Sequence, residues 1–183
     1  MRIVAITGMP GAGKSTAAQA LVAKGWKRVV MGDVIREETK RRGLPADEKN
    51  TGEVMRGLRK QYGDAAVAEL CIQTIKGARS ENVVVDGIRS VAEVEAFRKS
   101  ADVLLVAVHA SRQRRFALLK GRARSDDPVS YEMFLRRDDR ELDVGIGSAI
   151  AIADEVISNE HDTPGGLTTQ TVELVERWVN VPA

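Results

Sequence analysis

The segment that most constrains this chain is residues 8–16, which read Gly-Met-Pro-Gly-Ala-Gly-Lys-Ser-Thr. They fit the pattern G-x-x-x-x-G-K-[ST], which is typical of a phosphate-binding loop (P-loop) between a strand and a helix. An apolar run at residues 3–6 precedes the loop, and a helix-forming run at residues 17–23 follows it. Because strand, glycine loop and helix come in the required order, we predict that the chain binds a nucleoside triphosphate.

Each residue type in this loop has a chemical reason to be there. Glycines allow successive backbone N–H groups to turn towards one phosphate, and the N-terminus of the next helix adds partial positive charge. Lys14 is expected to reach the β- and γ-phosphates, and the Ser15 hydroxyl is expected to bind Mg²⁺. The residues predicted to bind the triphosphate here are Gly8, Met9, Pro10, Gly11, Ala12, Gly13, Lys14, Ser15 and Thr16.

Apolar runs rich in β-branched residues recur between helical patterns along the chain. Most are continuous rather than alternating, which is typical of parallel strands buried on both faces. Strands that alternate with helices indicate βαβ units. We therefore predict an α/β three-layer sandwich, in which helices flank a five-stranded parallel sheet. The predicted strands are residues 2–7, 28–31, 82–86, 102–108 and 154–158.

Capping residues and glycines predict several helix boundaries. Ser90, with a glutamate three residues later, begins one helix, and Ser130 is the predicted N-cap of another. Gly145 and Gly147 are expected to break the helical pattern. In the long crossover, two helices are predicted within residues 50–78, with a break near residues 62–64. The later predicted helices cover residues 90–99, 130–143, 148–153 and 168–179.

Composition excludes several other classes. The chain has 183 residues, 43% of them hydrophobic and 30% charged, as expected of a globular protein with one domain. Its net charge of +2 gives no reason to expect nucleic acid as a partner. Cys71 is the only cysteine, so neither a disulfide framework nor a cysteine metal site is predicted.

No apolar run reaches the length of a membrane span. Arg2 begins the first predicted strand, which leaves no room for a signal peptide. We expect a cytoplasmic protein without membrane association, with small-molecule nucleotides as partners and an oligomeric state that the sequence leaves open.

Polar residues follow two predicted strands where a doubly wound sheet places its ligand crevice. Asp33 and Arg36 follow the second strand, and Asp86, Gly87 and Arg89 end the third. A carboxylate after an apolar strand is where P-loop proteins place the residue that organises Mg²⁺, and an arginine can hold phosphate with two hydrogen bonds. The plain alternative is that Asp33 caps a helix, Arg36 lies on the surface, and the third strand ends in an ordinary turn.

A third cluster of charge begins at residues 121–127 and continues along the next helix. Arg136 and Arg140 lie four residues apart on one helix face, where like charges destabilise a helix unless an anion relieves them. This pattern favours a mobile arginine-bearing lid that excludes water from the triphosphate. A solvated charged helix is the alternative. Arg137 and Glu141 form an ordinary pair at the same spacing and carry little information.

With these motifs in place, the chain resembles the adenylate-kinase-like family of nucleotide and nucleoside monophosphate kinases. The P-loop is similar to theirs, including Pro10. The element Gly32-Asp33-x-x-Arg36 resembles one whose arginine binds the acceptor's phosphate. The element Asp86-Gly87-x-Arg89 resembles the family's Asp-Gly-Phe-Pro-Arg, shortened by one residue.

The resemblance continues to about residue 160. Arg124-x-Asp126-Asp127, followed by Arg136 or Arg137, is similar to the family's lid-flanking pattern, with slightly different spacing. The segment at residues 158–160 falls where such kinases wrap a loop around adenine. The amino-acid sequence at residues 83–90 and 121–128 resembles even more closely a group of small archaeal P-loop proteins, which are labelled adenylate-kinase-related or dephospho-CoA-kinase-like.

The resemblance implies a P-loop NTPase fold that forms one domain over residues 1–183, with an acceptor-binding insertion near residues 33–79 and a lid near residues 120–145. It also implies transfer of the γ-phosphoryl of ATP, with Mg²⁺, to a small phosphorylated acceptor such as a nucleoside monophosphate. The implied catalytic residues are Lys14, Asp86, Arg124 and Arg136, and the further ATP-binding residues are Arg122 and Asn159. The implied acceptor-binding residues are Asp33, Arg36, Gly87 and Arg89. The implied metal-binding residues are Ser15 and, through water, Asp86.

Three alternatives remain at this point. The first is phosphorylation of a hydroxyl group, as in dephospho-CoA kinases, and the second is a P-loop ATPase switch. The guanine-reading pattern Asn-Lys-x-Asp is absent from the sequence, which argues against a GTPase. The third is a nucleotide-binding regulatory protein without catalysis, against which Lys14, Ser15 and Asp86 all argue.

Overall fold

Five parallel strands form the central sheet of the computed structural model, which describes residues 1–78, 80–122, 127–161 and 163–180. The strands are β1 (Arg2–Thr7), β2 (Lys27–Val30), β3 (Asn82–Ile88), β4 (Asp102–His109) and β5 (Glu155–Ser158). Their order across the sheet is β2-β3-β1-β4-β5, and every neighbouring pair is parallel. The predicted five-stranded parallel sheet is confirmed, and β1 lies at its centre.

Alternate residues of the central strands face two separate cores. In β1, Val4 and Ile6 belong to one core, whereas Ile3 and Ala5 belong to the other. All four side chains are fully buried. Burial on both faces is why the sequence runs are continuously apolar.

Helices cover both faces of the sheet. On one face α1 (Lys14–Val22) packs with α9 (Pro164–Asn180). The second core lies beneath helices that come mostly from the long crossover between β2 and β3. The remaining helices are α2 (Met31–Arg41), α3 (Glu48–Tyr62), α4 (Ala66–Gly77), α5 (Val91–Ser100), α6 (Arg112–Arg122), α7 (Tyr131–Val144) and α8 (Ile146–Ala151).

Most predicted helix boundaries agree with the structure. The Ser90 and Ser130 hydroxyls accept hydrogen bonds from the third residue of their helices, as N-caps do. Gly63 ends α3 with a φ of 87°, which is the predicted break in the crossover. The prediction for Gly147 is wrong, because only Gly145 breaks the helix and Gly147 lies inside α8.

The carboxyl ends of the strands place the predicted site at one edge of the sheet. Residues 8–13 leave β1 there, and the loop after β3 lies beside them because β1 and β3 are neighbours. The region predicted to bind an acceptor contains α2, α3 and α4, and the predicted lid region contains the end of α6 and α7. Of the helices that the structure describes, none is both long and apolar enough to cross a membrane.

Central-strand packing can be tested at Leu105 in β4, which is fully buried. Leu105→Ala removes buried methyl groups and leaves a cavity, so we expect the free energy of unfolding to fall by about 3 kcal/mol. Val156→Ala on the edge strand is the matched control, since Val156 is 60% exposed, and should change stability by less than about 0.5 kcal/mol. Urea unfolding measures both; equal losses would contradict the assigned core.

Candidate nucleotide and acceptor site

The P-loop backbone lies so close to neighbouring segments that some positions accept only glycine. Gly8 has a φ of 138°, and a Cβ atom there would lie 2.2 Å from the Val108 carbonyl oxygen. Gly13 has a φ of 109°, and its Cβ would lie 2.7 Å from Asn159 Nδ2. Both positions combine a left-handed backbone with a steric limit, so glycine is required.

Two side chains from distant parts of the chain hold the carbonyl groups of the loop. Arg115 Nη1, on α6, donates a hydrogen bond to the Pro10 oxygen at 3.0 Å. Asn159 Nδ2, in the loop after β5, donates to the Ala12 oxygen at 2.9 Å. With two carbonyls turned outwards and bonded, the loop keeps its backbone N–H groups on the side where an anion binds.

Arg115 is itself held by a buried ion pair with Asp138 of α7. Its guanidinium donates to both carboxylate oxygens, at 2.7 and 2.5 Å, and also lies 5.0 Å from the centre of the Phe134 ring. Arg115 is 4% exposed and Asp138 is 1% exposed. Loss of one partner would leave the other charge buried, at a cost of about 3–5 kcal/mol. Through this pair, α6 and α7 are fixed to the P-loop.

The loop beyond β5 is anchored in the same way. Ser111, just before α6, donates hydrogen bonds from its backbone nitrogen and its hydroxyl to the Glu160 carboxylate, at 2.6 and 2.7 Å. These bonds hold the pKa of Glu160 below its usual value. The adjacent Asn159 is therefore fixed beneath the P-loop, although the resemblance assigns it to ATP.

Lys14 begins α1 and turns its side chain back over the loop. Its Nζ donates to the Gly8 oxygen at 2.7 Å and to the Met9 oxygen at 3.1 Å. Burial removes water from the ammonium and lowers the pKa of Lys14 to about 8. A poorly solvated lysine that donates to two neutral carbonyl groups gains strongly from an anionic phosphate.

Four charged groups act on Lys14, two at the carboxyl end of β3 and two on α7. Asp86 and Glu141 raise the pKa of Lys14 and so oppose the effect of burial, whereas Arg89 and Arg137 lower it further. The structure therefore brings Asp86 and Arg89, both predicted from sequence, into the surroundings of Lys14. It also brings Glu141 and Arg137 there, which sequence reasoning had set aside as an ordinary helix pair.

The side chains present fit the Mg²⁺ ion that the fold implies. Ser15 Oγ donates to Asp86 Oδ2 at 3.4 Å, so a hydroxyl and a carboxylate, which are oxygen ligands suited to Mg²⁺, stand together. Arg28 Nη2 of β2 also contacts Asp86 Oδ2, at 2.6 Å. Because Arg28 neutralises part of the carboxylate's charge, an indirect, water-mediated role fits Asp86. Within the described ranges, no three His, Cys, Asp or Glu side chains gather as a separate metal cluster.

Arg89 is engaged by two carboxylates at the end of β3. Its Nε lies 3.2 Å from Glu141 Oε2 of α7, and its backbone nitrogen donates to Glu93 Oε2 at 2.8 Å. Glu93 is 1% exposed and also accepts from Arg59 of α3 at 3.0 Å. The acceptor-binding region and the strand-end loop are thus connected through one buried carboxylate. Gly87, with a φ of 107°, lets the chain turn between Asp86 and Arg89.

Asp33 and Arg36 lie together in the first turns of α2, but outside this group. They form an ion pair with each other, and their side chains are 59% and 49% exposed. The residue that caps α2 is Val30 rather than Asp33, and it makes no side-chain cap bond. Arg89 and Arg137 of α7 therefore lie in the surroundings of Lys14, whereas the Arg36 side chain is half exposed and paired with Asp33.

A cleft of about 220 Å³ opens between the P-loop, α6 and α9. Arg122 and Asn159, both predicted to bind ATP, line it. Its walls combine leucine side chains with arginines, which suits a flat base attached to phosphates. The cleft is lined by Gly11, Gly13, Lys14, Ser15, Thr16, Arg114, Leu118, Leu119, Arg122, Asn159 and Leu167.

The predicted lid residues have different positions. Arg122 forms an ion pair with Asp127. Arg136 is 72% exposed and pairs with Glu132 on the outside of α7, whereas its neighbour Arg137 lies in the surroundings of Lys14. The structure therefore favours Arg137 over Arg136 at the site. Arg124 and Asp126 lie outside the described residues.

Sequence reasoning missed residues whose roles depend on contacts between distant elements. Arg28 gave one signal, since it is charged inside a short apolar strand. Arg115 and Asp138 gave none, because they are separated by 23 positions and lie in segments rich in charge. Glu141 was hidden by its ordinary spacing from Arg137.

Comparisons with known proteins agree with this architecture. A family model described as an AAA domain matches residues 7–133. The UPF0200 protein of Methanocaldococcus jannaschii is 46% identical over 162 residues, which cover 87% of this chain and 82% of that protein. A UPF0200 protein of Thermococcus onnurineus is 44% identical, with 86% and 88% covered.

Solved structures at low identity show the same fold. TT1252 from Thermus thermophilus has a TM-score of 0.71 at 17% identity, and the match covers 98% of both chains. Shikimate kinase from Bacteroides thetaiotaomicron has a TM-score of 0.61 at 17% identity, covering 95% of this chain and 98% of that one. The predicted α/β P-loop fold is confirmed by these likenesses.

The pKa of Lys14 predicts a proton uptake when ATP binds. With its pKa near 8, the free lysine loses its proton as the pH rises through that value. Phosphate anions favour the charged form, so the complex keeps the proton to higher pH. We expect ATP binding at about pH 9 to take up close to one proton, and affinity to fall as pH rises above about 8.

Titration calorimetry in buffers of different ionisation enthalpy measures this uptake. Lys14→Met is the control, because it keeps a chain of similar length but has no proton to gain. If the variant and the natural protein take up the same number of protons, the assignment of Lys14 to the triphosphate is wrong.

Proposed function

This chain belongs to the UPF0200 family and contains an AAA domain, and on that premise we propose that it is a phosphotransferase that uses ATP and Mg²⁺. The γ-phosphoryl group of ATP is transferred to a small phosphorylated acceptor, such as a nucleoside monophosphate or a similar molecule. The single observation that carries the proposal is the surroundings of Lys14, where a buried ammonium at a P-loop meets side chains from β3 and α7.

The donor half of the site consists of the P-loop and its adjacent cleft. Lys14 exchanges its two carbonyl partners for phosphate oxygens, which are anionic and therefore better partners. The base of the nucleotide enters the cleft between α6 and Leu167. Ser15 and, through water, Asp86 would hold Mg²⁺, which would neutralise negative charge on the triphosphate.

The acceptor half is assigned to the end of β3 and to α2. Arg89 lies at the strand end beside Lys14's group of charges, so it is placed to orient the reacting end of an acceptor. Arg36, half exposed on the first turns of α2, is available to a phosphate on the remainder of the acceptor. Two separate arginines suit an acceptor that carries a phosphate in addition to its reacting group.

Catalysis in this proposal is positioning together with neutralisation of charge. Lys14, Arg89 and Arg137 supply the positive charge around the transferring γ-phosphoryl group, and the poor solvation of Lys14 strengthens its attraction to that group. The ion pair between Arg115 and Asp138 fixes α6 and α7 against the P-loop. The charged side chains of α7 are therefore held at a constant distance from the triphosphate. Close positioning of two substrates alone can supply much of the rate enhancement.

Removal of the P-loop ammonium tests the donor half. We expect Lys14→Ala to lower the rate of phosphoryl transfer at least about 100-fold, because the transition state loses its principal positive charge. A coupled assay of ADP release, run with nucleoside monophosphates, with dephospho-CoA and with ATP alone, measures the activity. Lys24→Ala on the surface is the control and should leave it unchanged. A Lys14→Ala enzyme with full activity would sink the assignment.

The same assay separates a kinase from an ATPase switch. ADP release that depends on an acceptor supports phosphoryl transfer. Steady hydrolysis that no acceptor changes supports the switch instead.

Arg36 tests the acceptor half. If its guanidinium binds the acceptor's phosphate, Arg36→Ala should raise the KM for the acceptor by about 10-fold, equivalent to one exposed charge-assisted contact, while the Kd for ATP stays the same. Lys40→Ala on the same helix is the matched control, since Lys40 is also exposed and pairs three residues back along the helix. Equal losses for both substrates would contradict an acceptor role for Arg36.

A further inference from the structure

Glu141 of α7 is a carboxylate directed into the site that the proposed function does not use. Its side chain is 15% exposed, and its Oε2 atom lies 3.2 Å from Arg89 Nε. It acts electrostatically on Lys14 from α7, whereas Asp86 acts on Lys14 from β3. Glu141 therefore belongs to the charged group around the P-loop lysine and contacts Arg89, to which the proposed function assigns the acceptor.

The Oε2 atom of Glu141 is buried, yet it accepts no hydrogen bond from the described residues. Arg89 Nε is close enough for an ion pair, but its N–H is not directed at the oxygen. Buried carboxylate oxygens nearly always have a donor, so an exception calls for a functional explanation. Glu141 Oε2 faces the proposed substrate site, so a hydrogen-bond donor group on the phosphoryl acceptor would explain why it has no partner in the protein.

The other carboxylates near the site already have donors. Asp86 Oδ2 accepts from Arg28 and Ser15. Asp33 is paired with Arg36 and more than half exposed. Glu141 Oε2 is thus a buried carboxylate oxygen at this site that accepts no hydrogen bond from the described residues and can accept one from a new donor.

The chemistry of the missing donor limits the acceptor. An ionised phosphate has no proton to give, and its charge is repelled by a carboxylate a few ångströms away. A hydroxyl group donates a hydrogen bond and carries no charge, so it fits Glu141 Oε2. The carboxylate also holds Arg89, which reduces the positive charge available for a phosphate at the reacting position.

We propose, on the basis of the proposed function, that Glu141 binds and deprotonates a hydroxyl group, so that this chain phosphorylates an alcohol. The hydroxyl oxygen forms the new bond to the γ-phosphorus as the bond to the ADP oxygen breaks. The hydroxyl proton passes to Glu141 Oε2 and then to solvent, and ADP leaves with the bridging oxygen. The product is a phosphate ester rather than a phosphoanhydride.

Hydrolysis by water tests the role of Glu141 without knowledge of the acceptor, since water is the simplest hydroxyl donor. Glu141→Gln keeps the shape but cannot take a proton, so kcat for ATP hydrolysis should fall about 100-fold while the Kd for ATP stays unchanged. Glu141→Asp should restore part of the rate. Asp143→Asn is the matched control, because Asp143 is exposed on the same helix, and it should retain the natural rate.

The product identifies the acceptor class. With ATP labelled in the γ-phosphate, we expect transfer to dephospho-CoA, which offers a ribose hydroxyl, and the transferred phosphate should survive hot acid as an ester does. Transfer only to AMP, CMP or UMP, as an acid-labile anhydride, would overturn the inference and leave the proposed function standing. A Glu141→Gln enzyme that hydrolyses ATP at the natural rate would also overturn it.

Failure of the proposed function itself has a different signature. In that case the natural protein binds no ATP in calorimetry, or Lys14→Ala hydrolyses ATP as fast as the natural protein. Either result removes the premise on which the role of Glu141 rests, and so overturns both.

Discussion

The shape of one short loop is the constraint on which the rest of this structure depends. Gly8 and Gly13 pass within contact distance of β4 and of the loop after β5, and two carbonyls between them are held by Arg115 and Asn159. A loop of this length cannot fix its own backbone, because each ordered residue costs about 1–2 kcal/mol of conformational entropy. Side chains from the second half of the chain supply that order.

Opposing charges determine what the ordered loop can bind. Burial disfavours the ammonium of Lys14, and the two carboxylates around it act in the opposite sense to the two arginines. A triphosphate adds negative charge beside this ammonium, which makes phosphate binding favourable. Glu141 differs from Asp86, the other carboxylate of the group, because its buried Oε2 accepts no hydrogen bond from the described residues, whereas Asp86 Oδ2 accepts from Ser15 and Arg28.

Local patterns predicted most of the fold, and long-range contacts limited the prediction of the site. The P-loop, the five strands and the caps at Ser90 and Ser130 follow from spacing, turn chemistry and burial, all of which leave marks in a few neighbouring residues. Arg115 and Glu141 leave no such mark, because α7 must first pack against α6 and the end of β3 before their side chains acquire partners. Spacing on a helix also could not show that Arg137 faces inwards and Arg136 outwards.

The central claim is that distant side chains hold the P-loop in the conformation that binds nucleotide. Its most direct test is calorimetric titration of ATP with Mg²⁺ into a double variant, Arg115→Met with Asp138→Leu. Replacing both members of the buried pair with apolar groups keeps the core filled and avoids an unpaired charge, while the bond to Pro10 is lost. We predict a folded protein that binds ATP about 10-fold more weakly, equivalent to about 1.4 kcal/mol, with Lys120→Met on α6 unchanged as the control. Natural affinity for ATP in the double variant would contradict the account.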